Sequence, residues 1–94
     1  MYAYVVLTYL YDLERIGQTV DRHRAYLRQL LAQKKLVASG PLEPRTGGAL
    51  LLRARDQAEL QQLLADDPFA REKLVSHTIY NWAPNIGVEG LDAL

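Results

Sequence analysis

Few side chains in this sequence are suited to nucleophilic or proton-transfer chemistry. It carries two histidines and no cysteine, which removes a thiol nucleophile, a disulfide framework and a cysteine-ligated metal from consideration. An unperturbed imidazole titrates close to neutral pH, so His23 and His77 are the natural general acids or bases. His23 lies three residues after Val20 and four before Leu27, on the apolar stripe of a helix that also presents Leu30 and Leu31. An inward-facing histidine can move protons if a carboxylate accepts one ring N–H and fixes the tautomer, as in a catalytic triad. Asp67 is the candidate for that role. Each residue also has a plainer reading. His23 can be satisfied by a carbonyl or solvent at a helix start, and Asp67 can cap the helical turn that Pro68 opens.

Ser39-Gly40-Pro41 forms a second cluster. Gly40 permits close approach of a ligand to the backbone and Ser39 can donate a hydrogen bond, although the same residues can simply bend a strand end. Arg45 can pair with an anionic substrate or remain a solvated loop arginine. His77 sits among Ser76, Thr78 and Tyr80 in a strand pattern and reads as a sheet-surface or interface residue. Two histidines so far apart in the chain do not make a metal site. No phosphate-cradling glycine loop, nucleophile elbow or H-E-x-x-H helix occurs. The expectation is therefore no metal and no nucleotide or redox cofactor.

The elements that must position these residues follow from local pattern. Residues 2–11 (YAYVVLTYLY) are aromatic and β-branched, with both alternating sets largely apolar, which predicts a central strand covered on both faces. Residues 12–17 read as a loop, and Thr19 as the N-cap of a helix over 20–35 with Arg22, Arg24 and Arg28 on its solvated side. Strands follow at 36–42 and 49–54, joined through Thr46-Gly47-Gly48. Asp56 and Glu59 have capping-box spacing and open a helix to about residue 65, with Leu60, Leu63 and Leu64 inward. Asp67-Pro68 starts a short helical turn running to about Lys73, and residues 75–83 form a last strand closed by Pro84. Residues 56–73 hold five acids and two bases, complementing the basic first helix. The order β-α-β-β-α-β predicts an α+β, ferredoxin-like domain, a four-stranded antiparallel sheet with its helices on one face. The other face stays open yet apolar. A homodimer through that open sheet face, or a higher oligomer built on it, is expected.

Ninety-four residues make one domain, and such a small one is short of core. Eleven Lys and Arg against eleven Asp and Glu give zero net charge, which argues against nucleic acid as a partner. The apolar stretch near the start is about ten residues, too short to span a bilayer, and lacks a basic leader region. No membrane association and a cytoplasmic location are expected.

Several segments in this order resemble one known family. They are Arg22-His23 followed by Tyr26-Leu27, Ala38-Ser39-Gly40-Pro41-Leu42, Gly47-Gly48-Ala49-Leu50-Leu51-Leu52, and Asp66-Asp67-Pro68-Phe69 before a strand ending near Trp82. The set resembles the YciI-like (YCII-related) family over about residues 1–84, leaving 85–94 as a C-terminal tail. That resemblance implies a ferredoxin-like fold whose dimers pair their sheets into a dimeric α+β barrel, and a cleft containing a His–Asp pair. Carried onto this sequence, the pair is His23 and Asp67, with Ser39 and Gly40 beside the cleft. One relative is a dehydrochlorinase acting on a chlorinated hydroxyquinol, so the resemblance implies lyase- or isomerase-type chemistry. The resulting expectation is a small cofactor-independent enzyme using His23 and Asp67 for elimination, isomerisation or a related acid–base reaction. Its substrate would be a small cyclic or aromatic metabolite held by Ser39, Gly40 and Arg45. The alternative is a non-catalytic small-ligand-binding or accessory module using the same cleft.

Overall fold

The β-α-β-β-α-β order is present, with three short helices added to it. In the computed structural model, which describes residues 1–92, β1 (Tyr2–Tyr9) leads through α1 (Leu13–Gly17) and α2 (Val20–Ala32) to β2 (Leu36–Pro41) and β3 (Gly47–Arg53). The chain continues through α3 (Gln57–Ala65) and α4 (Pro68–Arg71) to β4 (Val75–Trp82), and α5 (Val88–Asp92) follows. The sheet order is β2-β3-β1-β4 with every neighbouring pair antiparallel, so β1 is interior as its composition predicts. This is the ferredoxin-like α+β arrangement.

Strand alternation assigns the two faces. Ala3, Val5 and Leu7 of β1 lie opposite Leu52, Leu50 and Gly48 of β3, and the alanine, valine and leucine side chains among them are buried against the helices together with Leu60 of α3 and Phe69 of α4. The other parity carries Tyr4, Tyr80 and Trp82, which are exposed in the single chain. The expectation that both faces of β1 are covered is thus met on the helix side only.

Several boundaries differ from the sequence reading, two of them at helices. The segment read as a loop at 12–17 is α1, whose N-cap Asp12 accepts the Arg15 N–H at 2.9 Å and whose Ile16 is buried. One and a half turns are too short to show a helical period. The second helix ends at Ala32 rather than near residue 35, because Lys34 adopts a left-handed conformation (φ 61°) and the Lys35 N–H bonds back to the Leu30 carbonyl at 2.8 Å. That is a Schellman-type stop, and a lysine in the position where glycine is usual gives no signal in the sequence. The last strand stops at Trp82, one residue before the expected end.

Gly47 earns its place by close approach. A Cβ there would lie 1.7 Å from the Leu7 carbonyl oxygen, so only glycine lets β3 start flush against β1.

Candidate active site

The first turn of α2 brings His23 inward, where its backbone N–H bonds to the Thr19 carbonyl at 3.1 Å. Thr19 occupies the N-cap position, but its side chain makes no capping bond. Its buried hydroxyl instead donates to Glu72 Oε1 at 3.2 Å. Glu72, the C-cap of α4, also accepts from Arg15 Nη2 at 3.1 Å and from Arg22 Nη2 at 2.7 Å. The Arg15 hydrogen bond is the main reason its carboxyl is held below the ordinary range, with the Arg22 charge acting in the same direction. This network fastens α4 to α1 and α2, and so fixes the residues α4 carries relative to His23.

Asp67 is the N-cap of α4, and Pro68 holds the first helical position. Its Oδ1 accepts two hydrogen bonds, from the Phe69 N–H at 3.0 Å and from His23 Nδ1 at 2.7 Å. The two roles that the sequence poses as alternatives, cap and histidine partner, are played by one oxygen at once. Asp67 is 1% exposed and His23 8%, so the pair is dry. Phe69 stacks on the imidazole with centroids 3.9 Å apart and planes 10° from parallel, and Tyr9 packs edge-on against Phe69. Rotation of the ring is blocked from one side by the stack and from behind by the carboxylate. With an ionised Asp67, Nδ1 carries the hydrogen and Nε2 is left as the nitrogen with a lone pair.

That imidazole lines a cleft of about 80 Å³ between α2, the β2–β3 end of the sheet and α4. Ser39, Gly40 and Arg45 line it too, so four of the five residues singled out in the sequence share one cleft and the fifth, Asp67, stands directly behind His23. Its walls are apolar, built from Leu7, Leu27, Leu50 and Phe69. Of the lining residues that the sequence reading did not place in the cleft, two matter most to the site. Phe69 follows the Asp67 cap by two positions, and the Asp-Pro-Phe spacing contains that information. Arg24 was assigned to the solvated side of α2, yet it follows His23 directly and reaches the same cleft.

His77 also stands elsewhere than expected. It pairs with Leu7, and therefore lies on the helix-covered side of β4 rather than on the open surface. Its parity with Val75 and Ile79 is the signal for this. Burial pushes its pKa below the ordinary 6.5, against an upward pull from the Asp67 charge. His77 Nε2 and Asp67 Oδ2 are both buried without a hydrogen-bond partner. Tyr26, near the cleft but outside its lining, is a structural clamp. Its hydroxyl donates to the Leu63 carbonyl at 2.6 Å, and burial, helped by the Asp66 and Asp67 charges, pushes its pKa up to about 12. Among the described residues no group of three or more His, Cys, Asp or Glu side chains is arranged to hold a metal ion, and no helix is long and apolar enough to cross a membrane.

Comparison with known proteins bears on the family and the fold. The family model for the YCII-related domain matches residues 2–83. The Bacillus subtilis protein YjpA, described as uncharacterized, is 32% identical over 83 residues, spanning 87% of this chain and 95% of its own. Among solved structures, 5-chloro-2-hydroxyhydroquinone dehydrochlorinase (TftG) from Burkholderia phenoliruptrix AC1100, in complex with 2,5-dihydroxybenzoquinone, superposes with a TM-score of 0.68. It covers 90% of this chain and 96% of its own at 19% identity, a likeness of fold.

Proposed function

The chain belongs to the YCII-related domain family, and on that premise we propose that it is a small acid–base enzyme acting on a cyclic or aromatic metabolite, with His23 and Asp67 as its reactive pair. One observation carries the reading: a buried imidazole bound through Nδ1 to a buried carboxylate at 2.7 Å, its ring lining an apolar cleft. A merely structural histidine has no need of a cleft in front of it. The dehydrochlorinase of the same fold, solved in complex with 2,5-dihydroxybenzoquinone, supports a hydroxylated ring as the substrate type.

In this reading His23 Nε2 takes a proton from an acidic C–H or O–H of the ring, and Asp67 steadies the imidazolium that forms. The electron pair released forms a new double bond. In an elimination it expels a leaving group as an anion; in an isomerisation the proton returns to a different ring atom. Arg45 and the backbone of β2 near Ser39 and Gly40 hold the ring oxygen on which charge accumulates, and β2, as an edge strand, has backbone groups outside the ladder for this purpose. His23 then gives its proton to solvent or product, and no external oxidant or reductant is consumed. The working unit is a cytoplasmic homodimer joined through the exposed Tyr4–Tyr80–Trp82 face, large aromatic surface that a second copy of the chain would cover.

The test is a panel of hydroxylated aromatics and lactones, including 5-chloro-2-hydroxyhydroquinone, incubated with the protein in deuterated buffer and followed by NMR and chloride release. Turnover or deuterium exchange of at least one ring, lowered about 10²-fold or more by His23→Ala, is the expected outcome. Binding of a ring with neither reaction nor exchange would instead make the protein a ligand-binding module.

A further inference from the structure

We propose that the cleft selects a planar anion, a carboxylate, phenolate or enolate on a small ring, and that Arg24 and Arg45 together set this preference. The inference deepens the reading above and rests on its cleft. Its starting point is a charge imbalance. Arg24 from α2 and Arg45 from the β2–β3 connection line the cleft beside His23, and no Asp or Glu does. The nearest carboxylate, Asp67, has no place in the lining, and its Oδ1 is committed to His23 and to the Phe69 N–H.

Four of the other arginines are held in ion pairs, while among the described residues Arg28, which lies outside the cleft, is not. Arg15 and Arg22 pair with Glu72, Arg55 with Glu59 and Arg71 with Asp66. Among the described residues, neither Arg24 nor Arg45 has an ion-pair partner, although the chain has as many acids as bases. Two guanidiniums left unpaired at the mouth of an apolar pocket are available for an anion, and a guanidinium matches a carboxylate or enolate in a planar, forked geometry. The walls supply the other half of the specificity. Leu7, Leu27, Leu50 and Phe69 are flat or aliphatic surfaces suited to a ring edge, and about 80 Å³ admits only a few heavy atoms, so the charged group stays at the mouth where the arginines are. The arrangement also fits the chemistry. Proton removal by His23 leaves negative charge on the ring, and two cations beside it lower the energy of that state in a site partly shielded from water.

The experiment compares benzoate with benzamide, its neutral isostere, by amide and imidazole NMR titration of the intact protein. Benzoate is expected to shift Gly40, Gly48, Ala49 and His23, to bind about tenfold or more tightly than benzamide, and to weaken with added salt. Arg24→Gln and Arg45→Gln should each weaken benzoate severalfold and leave benzamide unchanged, and the double variant should bring the two ligands level. Arg28→Gln, on the same helix but outside this cleft, is the control and should leave both affinities alone. Equal binding of the two ligands, indifference of benzoate to both substitutions, or no benzoate binding at tens of millimolar would each overturn the proposal. None of these readouts uses turnover. Loss of anion selectivity with His23-dependent chemistry intact removes this inference alone, whereas selective benzoate binding without any His23-dependent chemistry removes the enzyme reading and keeps the clamp.

Discussion

Replacing Asp67 separates its two roles, because Asn keeps the oxygen that performs both and changes only its charge and its neighbour. Asp67→Ala removes the N-cap of α4, worth about 1 kcal/mol. It also strands the buried His23 Nδ1–H without an acceptor, at about 1–3 kcal/mol. The loss should total about 2–4 kcal/mol, a fall in Tm on the order of 15 °C for a domain of this size. Asp67→Asn retains an Oδ1 for the Phe69 N–H and for His23. Its new NH₂ replaces Oδ2, which has no partner, so the expected cost is one unsatisfied buried donor, about 1 kcal/mol. Activity should order differently. Both variants lose the charge that supports an imidazolium, so both should fall about 10²-fold or more in turnover. The double variant His23→Ala with Asp67→Asn should lose little beyond the worse single one, since groups acting as one unit are strongly non-additive. Urea melts and turnover on the same preparations check this. Asp67→Asn with full activity on a substrate that His23→Ala cannot turn over would refute the pair; Asp67→Asn as unstable as Asp67→Ala would refute the single-oxygen account of capping.

His77 gives a pH signature. Its pKa in the fold lies below 6.5, so the folded state resists protonation more than the unfolded chain does, and stability should decline as pH drops below 6.5 and on through the lowered value. His77→Leu should flatten the stability–pH curve in that window, leaving the loss at lower pH where Glu72 takes up its proton; an unchanged curve near pH 6 contradicts the assignment. Gly47→Ala should lower stability by well over 1 kcal/mol, because the clash is with backbone that cannot turn aside, and a neutral result in thermal melts would mean β3 can shift without cost. Tyr4→Asp, exposed in the single chain, should be tolerated by a monomer but should dissociate a dimer, which sedimentation equilibrium at micromolar concentration reads directly. A wild-type monomer in that experiment would remove the dimer from the account.

How much of this was visible in the sequence depends on how local the signal is. The sheet was legible because each strand carries its own composition and its turn residues, and α3 because Asp56 accepts the Glu59 N–H at 2.8 Å as the capping pattern implies. Even there the Glu59 side chain bonds to the Arg55 N–H rather than to that of the cap, a shift of one residue that spacing alone does not encode. Left-handed Lys34 and the short α1 were hidden because their causes are tertiary: buried Ile16 and the turn back toward β2 hold them, not propensity. In the site, His23 follows from helical period and Asp67 from its cap position, but their contact spans 44 positions, which in the sequence only the family resemblance implies. Arg24 is exposed, as a place on the solvated side of α2 implies, but no local window shows that it also lines the cleft. His77, read as a sheet-surface or interface residue, is put on the helix side by its pairing with Leu7, which its sequence neighbours do not contain.

The central claim is that His23, held by Asp67, faces a ring bound in the cleft, and a crystal structure of the protein with 2,5-dihydroxybenzoquinone tests it most directly. The ring should lie among Leu27, Gly40, Leu50 and Phe69, with an atom within hydrogen-bonding distance of His23 Nε2 while Nδ1 stays on Asp67. A ring bound elsewhere, or a His23 whose Nε2 turns away from it, would contradict the account.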